Sequence, residues 1–415
     1  MTLNNTKNRP LLVPEYMKQF SCIGSECEDS CCQSTWTVAI DEDTYKKYRK
    51  CRDLELKPLL KENITRNRSN PSSEYYAKIK MSGGGCSLLS EEGLCRVHSK
   101  LGEEYLSNTC AIYPRHIHSV NGVIEKSVSM SCPEGARLAL LNPNGIDFAE
   151  IEEPANTRGA VTVSLKTDDP QLNNSLQKYF WELRIFSIQV IQDRSYTLAE
   201  RLIILGMFCQ NIQKQIDQGD VHGIPTIIAN FNNWMSNPGM KESLDKVPTH
   251  LAIQMELCKE LVEHRIAQGI ASQRYADCAK EMVQGIQYKK ELTIEENTKN
   301  YKKAYEEFYE PFMTEHEYIL ENYLVNHIFK NMFPLGHTTL FNDYVMLVIH
   351  FSMIKLHLIG MAGFHKGLTT DLVIKLIQSF AKTVEHNPTY LKMILDLLKK
   401  NEFTTLPHMA ILVKN

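Results

Sequence analysis

At 415 residues, with 43% hydrophobic and 23% charged residues, the chain has the composition of an ordinary soluble globular protein large enough for two or three domains. A formal charge of -3 and a sequence pI near 6.5 supply no basic field, and no long Lys/Arg run is present, which excludes wholesale nucleic-acid binding. The N-terminal residues up to Pro10 lack the apolar core and small-residue cleavage site of a secretory signal, so the protein is expected in a reducing cytoplasm. In that compartment twelve cysteines point to metal ligands or buried hydrophobes, not to a disulfide framework.

In chain order, Leu11 to Phe20 is a short mixed stretch that leads into the polar, poorly periodic segment Phe20 to Trp36, which carries Cys22, Cys27, Cys31 and Cys32. Trp36 to Ile40 suits a strand, and Asp41-Glu-Asp-Thr-Tyr45 reads as a helix start whose acidic residues favour the N-terminal dipole. Cys51 stands alone on that helix and reads as structural. A Pro/Asn/Ser-rich loop from Arg66 to Ser73 precedes a strand at Tyr75 to Met81. Gly83 to Gly85 then opens a second thiol group, and the spacing that would make these glycines a phosphate-cradling loop is missing. Cys86 and Cys95, each beside a short apolar pair across a glycine turn, resemble a metal knuckle that ends at His98. A helix-like piece from Leu101 to Ser107 leads to Cys110, Tyr113-Pro114-Arg115, His116 and His118, and a strand from Gly122 to Ser131 delivers Cys132-Pro133-Glu134.

From Leu141 to Asn174 the composition turns to Asn, Pro, Gly, Asp and Thr, with one strand-like run at Ala160 to Leu165. This divides the chain into a cysteine-rich, irregular α+β metal-binding domain (1–145), a linker (146–174) and an α-helical, bundle-like domain (175–415), giving a mainly α fold. Leu172 to Gln192 carries one apolar face, a capping box at Thr197-Leu-Ala-Glu200 opens the next helix, and further amphipathic stretches run at 250–266, 272–286, 298–308 and 315–333. No fixed-period repeat is visible. Tyr344 to Gly363 is the most apolar stretch, but His350, Lys355 and His357 interrupt it and are costly in a bilayer, so a central core helix is expected; peripheral membrane contact and self-association are left open.

Eight cysteines thus form two groups, Cys22/Cys27/Cys31/Cys32 and Cys86/Cys95/Cys110/Cys132, enough for two sites of four or for one site with the other thiols structural. Only the Cys27/Cys31 spacing matches a zinc knuckle. An iron-sulfur cluster tolerates looser spacing because each cysteine binds a different iron, so iron-sulfur is favoured, with zinc as the alternative. His98, His116 and His118 are substitute ligands in reserve. Cys209, Cys258 and Cys278, scattered through helical patterns, read as core. The C-x3-C-x2-C motif of radical enzymes that cleave S-adenosylmethionine is absent, because Ser34 stands where its third thiol belongs.

The order Tyr16-Met17, Phe20-x-Cys22, Cys27, Cys31-Cys32, Trp36-x-Val38-x-Ile40-Asp41, Cys86-x8-Cys95-x2-His98, Cys110-x2-Tyr113-Pro114-Arg115 and Cys132-Pro133-Glu134 resembles the flagellin lysine-N-methylase family. That family belongs to the broader group named for a CxxCxxCC zinc- or iron-chelating domain. The resemblance extends to Glu321-Asn-Tyr-Leu-Val-Asn-His-Ile-Phe-Lys-Asn-Met-Phe-Pro334, and here the first cysteine pair is one residue wider than the group's nominal spacing. It implies a cytoplasmic bacterial enzyme with a 4Fe-4S cluster that moves methyl groups from S-adenosylmethionine to lysine ε-amines of flagellin before export. Because a lysine amine has an ordinary pKa of about 10.4, such chemistry needs a proton acceptor, for which Tyr113, Glu134 and the acidic or aromatic residues from Glu315 to Tyr323 are candidates. No glycine-rich loop marks a cofactor site. The competing expectation is an iron-sulfur or zinc-binding sensor or scaffold without methyltransferase activity.

Overall fold

The computed structural model describes residues 8–33, 37–82, 84–155, 157–159 and 161–415; Ser34, Trp36, Gly83 and Ala160, named above, lie outside these. The chain is mainly α, with a small α+β portion towards its N-terminal end. It divides into two compact units, Met1–Gly135 with Phe148–Ser164, and Ala136–Asp147 with Leu165–Asn415.

The strands are β1 (Asn8–Pro14), β2 (Ala39–Ile40), β3 (Ile64–Arg66), β4 (Ala77–Ile79), β5 (Met81–Ser82), β6 (Gly85–Cys86), β7 (Arg115–Val120), β8 (Val123–Val128), β9 (Phe148–Pro154) and β10 (Val163–Leu165). They form a mixed sheet in the order β10-β7-β8-β1-β9, a three-stranded sheet β2-β4-β3 and the hairpin β5-β6. β7 and β8 are joined by Asn121-Gly122, both at positive φ (52° and 83°), as a tight two-residue hairpin requires. Part of the stretch 146–174, expected to be linker, is instead β9, because all seven of its residues pair antiparallel with β1, from Asn8 opposite Pro154 to Pro14 opposite Phe148. Beneath the sheet, Leu11, Val13, Ile117 and Ile124 make a small core.

A second core of this unit gathers Val38, Ile40, Tyr48, Leu56, Leu60, Ile79, Leu88 and Val97, and Cys86, Cys95 and Cys110 pack against its margin. Helices α1 (Glu42–Arg49), α2 (Leu56–Asn63), α3 (Arg96–Leu101) and α4 (Asn108–Ile112) surround it. The acidic start read from the sequence is real: Asp41 caps α1 by accepting from the Thr44 amide at 2.9 Å. Its other oxygen accepts from the Asn108 amide at 3.0 Å, so one carboxylate fixes both α1 and the helix that carries Cys110.

In the second unit, the helices Phe180–Gln192, Leu198–Asp217 and Ile224–Met235 meet through Phe186, Phe208 and Phe231, whose ring centroids lie 4.5 to 6.5 Å apart in tilted and edge-on pairs. The capping box at Thr197 and Glu200 forms as the sequence indicates. Leu340–His365 has the length and apolarity to cross a membrane, yet all of its most apolar window is buried inside the protein, as befits a core helix. It crosses Gln273–Gly285 with backbones in contact: a Cβ on Gly285 would collide with the Gly360 carbonyl oxygen, and one on Gly363 with that of Gly285. Glycine is required there by close approach. Helices Thr370–Phe380, Pro388–Lys400 and Leu406–Val413 follow it towards the C-terminal end.

Candidate functional site

The cysteine segment is built from turns. Gly24, at φ 60°, opens a short 3-10 turn that ends at Cys27 in extended geometry, and Ser30 holds the next turn by accepting from the Gln33 amide at 2.9 Å. The Cys86 amide donates to the Cys32 carbonyl at 2.8 Å, which pins the segment to β6. Ser107 caps α4 by accepting from the Cys110 amide, and Cys132 sits just before the helix α5 (Pro133–Leu140).

This arrangement regroups the eight thiols. Cys22, Cys27, Cys31 and Cys132 line one cavity of about 80 Å³, together with Tyr113, Arg115 and Glu134. Cys32, Cys86, Cys95 and Cys110 do not line that cavity; the Cys32 thiol is pushed far up by its hydrogen bond with Cys31, by burial and by the neighbouring Cys95 and Cys86, and Cys31 also acts on Cys86, Cys95 and Cys110, so it stands between the two groups. The cavity lining cuts across the sequence groups: Cys132 joins Cys22, Cys27 and Cys31 on it, and Cys32 is not among the lining residues. Burial pushes Cys132 up to about 11 and Cys110 up to about 12, and raises Cys27, Cys86 and Cys95, so all five are neutral thiols without a bound cation. Among the described residues no three His, Cys, Asp or Glu side chains form a group that could hold a metal ion. The first four thiols border a space and do not converge on a point. Cys51, Cys209, Cys258 and Cys278 are buried, and no disulfide joins any of the twelve cysteines.

His98 lies on α3, and His116 and His118 stand on β7 with ring centroids 6.5 Å apart. Tyr113 and Glu134 do reach the cysteine cavity, with the Tyr113 hydroxyl 3.0 Å from that of Ser131. The segment Glu321 to Pro334 is largely structural: Glu321 binds Arg194 and Arg201, Asn322 donates to the carbonyls of Leu140 and Asn142, and Tyr323 and Lys330 each donate to Glu385 at 2.7 Å. Burial would raise Glu385, but Lys330 with His327 and His350 holds it below the usual carboxylate range. Tyr323 is therefore a tie and not a proton acceptor facing a substrate.

Among its described residues the helical unit holds clefts that sequence reading missed. A cavity of about 510 Å³ is walled by Tyr305, Tyr309, Glu310, Glu317, Phe351 and Lys355 among others. A second, of about 380 Å³, takes in Arg194, Lys241, Glu315 and Tyr318 and shares Thr197, Thr314 and Glu317 with the first. Tyr305–Tyr309 is a single π-helical turn. Pro311 follows it and cannot donate to the ladder, so the backbone widens there and brings Tyr305 and Tyr309 into a stack with centroids 5.4 Å apart. Glu317 stands between the cavities, held by Arg201 at 2.8 Å and by the Leu198 amide at 3.1 Å.

Lys355, on the long core helix, donates to the Val413 carbonyl at 2.8 Å, and its ammonium lies 5.8 Å from the ring centres of Tyr305 and Phe351. Burial pushes it down to about 7, against the opposing pull of Cys258 and Glu317. The available signal was that lysine itself, a charge in the middle of the most apolar helix.

The family described as "FliB lysine N-methylase C-terminal domain" matches residues 184–412. Two proteins named "Lysine-N-methylase", from Salmonella choleraesuis strain SC-B67 and Salmonella typhimurium strain LT2, are each 23% identical over 387 residues, covering 90% of this chain and 91% of theirs. The "Flagellar biosynthetic protein FliU" of Salmonella muenchen is 34% identical over 137 residues, 33% of this chain and 80% of that protein. No solved structure matches the chain.

Proposed function

The chain belongs to the FliB lysine N-methylase family, and from that membership we propose that it is a cytoplasmic protein-lysine N-methyltransferase, which takes methyl groups from S-adenosylmethionine, delivers them to flagellin lysines and holds a 4Fe-4S cluster on Cys22, Cys27, Cys31 and Cys132. The observation that carries this reading is the family match across 184–412, reinforced by relatives named for lysine methylation along 90% of the chain. The flagellar name of the third relative supports flagellin as the protein acted upon.

The donor set suits a cluster. Four thiols from two separate loops stand around one small cavity, so each can take a different iron, whereas a single ion would need them to converge. A bound cluster would supply a redox-active, Lewis-acidic centre beside Tyr113, Arg115 and Glu134.

S-adenosylmethionine supplies an electrophilic methyl on a sulfonium. The protein's own task is to take the proton from a lysine amine whose ordinary pKa is about 10.4 and to hold the neutral amine away from water. Glu315 and Glu317 line the second cavity with carboxylates that would attract a cationic side chain.

The test is anaerobic incubation of the iron-replete protein with purified flagellin and methyl-labelled S-adenosylmethionine, followed by mass spectrometry of the flagellin peptides. Methylated lysines are expected. Unmodified flagellin from a cluster-bearing preparation would overturn the enzymatic reading, and a colourless preparation rich in zinc would overturn the cluster.

A further inference from the structure

The larger cleft of the helical unit combines features that few single ligands satisfy together. Its size, about 510 Å³, lies in the range that encloses a molecule of cofactor size and far exceeds the needs of one lysine side chain. One wall is a stacked tyrosine pair on the π-turn, Tyr305 half-buried and Tyr309 buried. Another carries the carboxylates of Glu310 and Glu317.

A third wall carries Lys355. An ammonium has three donors, and one of those on Lys355 goes to the Val413 carbonyl. No carboxylate lies within ion-pairing distance among the described residues, although the side chain is only 7% exposed. A buried amine without an anion is costly, and the position is relieved either by losing its proton or by receiving a negatively charged group from the cavity. Its downward shift to about 7 agrees with such a deprived site. A substrate ammonium alone would be repelled by it. A molecule with an aromatic plane, a carboxylate and an ammonium would use every wall.

We propose that this cavity binds S-adenosylmethionine, with Lys355 serving its methionyl carboxylate, Glu310 its ammonium, and Tyr305 and Tyr309 its adenine. The proposal rests on the reading of the protein as a user of that cofactor. It places the cofactor within the segment that the family match covers, where no glycine-rich loop announces it.

Binding of S-adenosylmethionine to the full-length, anaerobically purified protein tests this, by equilibrium dialysis with labelled cofactor and by ultraviolet cross-linking with peptide mapping. Lys355→Met and Tyr305→Ala are each expected to weaken binding about ten- to a hundredfold, the loss expected for a buried charge-assisted or stacking contact. Glu310→Gln, on an exposed side chain that does not threaten the fold, should weaken it in the same direction, and cross-links should map between Tyr305 and Glu317. Circular dichroism and thermal unfolding establish that each variant is folded. If the unaltered protein binds and all three variants bind equally well, the site lies elsewhere and the proposal falls while the enzymatic reading stands. Binding that persists in Lys355→Met and vanishes in Cys27→Ala would move the cofactor to the cysteine cavity and likewise overturn it. Absence of binding by the unaltered protein would remove the reading itself.

Discussion

Arg201 and Glu321 form an ion pair at 2.7 Å inside the helical unit, with side chains only 3% and 2% exposed. The guanidinium also donates to the carbonyls of Tyr196 and Ile191 and to Glu317, while Glu321 takes two further hydrogen bonds from Arg194. Removing one partner leaves the other charge buried with only part of its pairing, Glu321 on Arg194 or Arg201 on Glu317, which costs up to about 3–5 kcal/mol. Arg201→Leu and Glu321→Leu should therefore each lower the unfolding free energy by that order in urea titrations. The double variant should recover part of the loss. A single variant as stable as the parent would show that the pair carries no such weight.

The helix crossing at Gly285 and Gly360 leaves no room for a side chain. Gly285→Ala forces the backbones apart, and overpacking of this kind costs about 1–3 kcal/mol or more. Its signature is a lower thermal midpoint. An alanine variant with an unchanged midpoint would mean that the two helices tolerate separation.

His350 and His357 are buried on the long core helix, where desolvation lowers each from its ordinary 6.5 to about 4. Glu385, Lys330, His337 and His327 face the first; the rings of Tyr275 and Phe380 and the Met353 carbonyl face the second. Since the unfolded chain takes up these protons at higher pH than the folded one, their stabilisation is complete above about 6.5 and is lost as pH falls towards about 4. The slope is about 1.4 kcal/mol per pH unit for each histidine. Unfolding curves across that window should show it, and His357→Phe should remove one share. A flat profile would mean that both imidazoles titrate in the folded state as they do in the unfolded chain.

The regrouping of the thiols separates two sets of cysteines by experiment. Cys27→Ala and Cys132→Ala should lose iron and visible absorbance, Cys86→Ala should keep the cluster at reduced stability, and buried Cys209→Ala should keep both cluster and activity. Iron retained in Cys132→Ala but lost in Cys86→Ala would assign the cluster to the other four thiols.

Much of the helical unit was legible because its signals are local: the Thr197–Glu200 capping box, the amphipathic stretches and the apolar helix that carries Lys355. The helix expected at 315–333 breaks at Glu317, and the one at 298–308 turns π-helical at Tyr305, since Pro311 acts on the residues before it. Strand β1 was read only as a mixed stretch; its partner β9 lies some 140 residues on, and no local pattern reports such a pairing. The same distance hid the cysteine cavity: Cys132 reaches the first loop only through the fold, and Cys31, which lines the cavity, stays hydrogen-bonded to Cys32, which does not. Tyr305 lies within the amphipathic stretch 298–308 and Tyr309 just beyond it, and nothing in their spacing marks a cavity wall.

Because β9 is synthesised after α5, the cysteine-bearing unit cannot close its sheet until the ribosome has passed Pro154, although every thiol of that unit has already been synthesised. A fragment cut at the compositional boundary near Asp147 would leave the apolar strand holding Leu11 and Val13 with an open edge, ready to recruit a strand from another molecule. Such a fragment would carry all its sulfur ligands and still precipitate, and extending it through Ser164 should restore a soluble species.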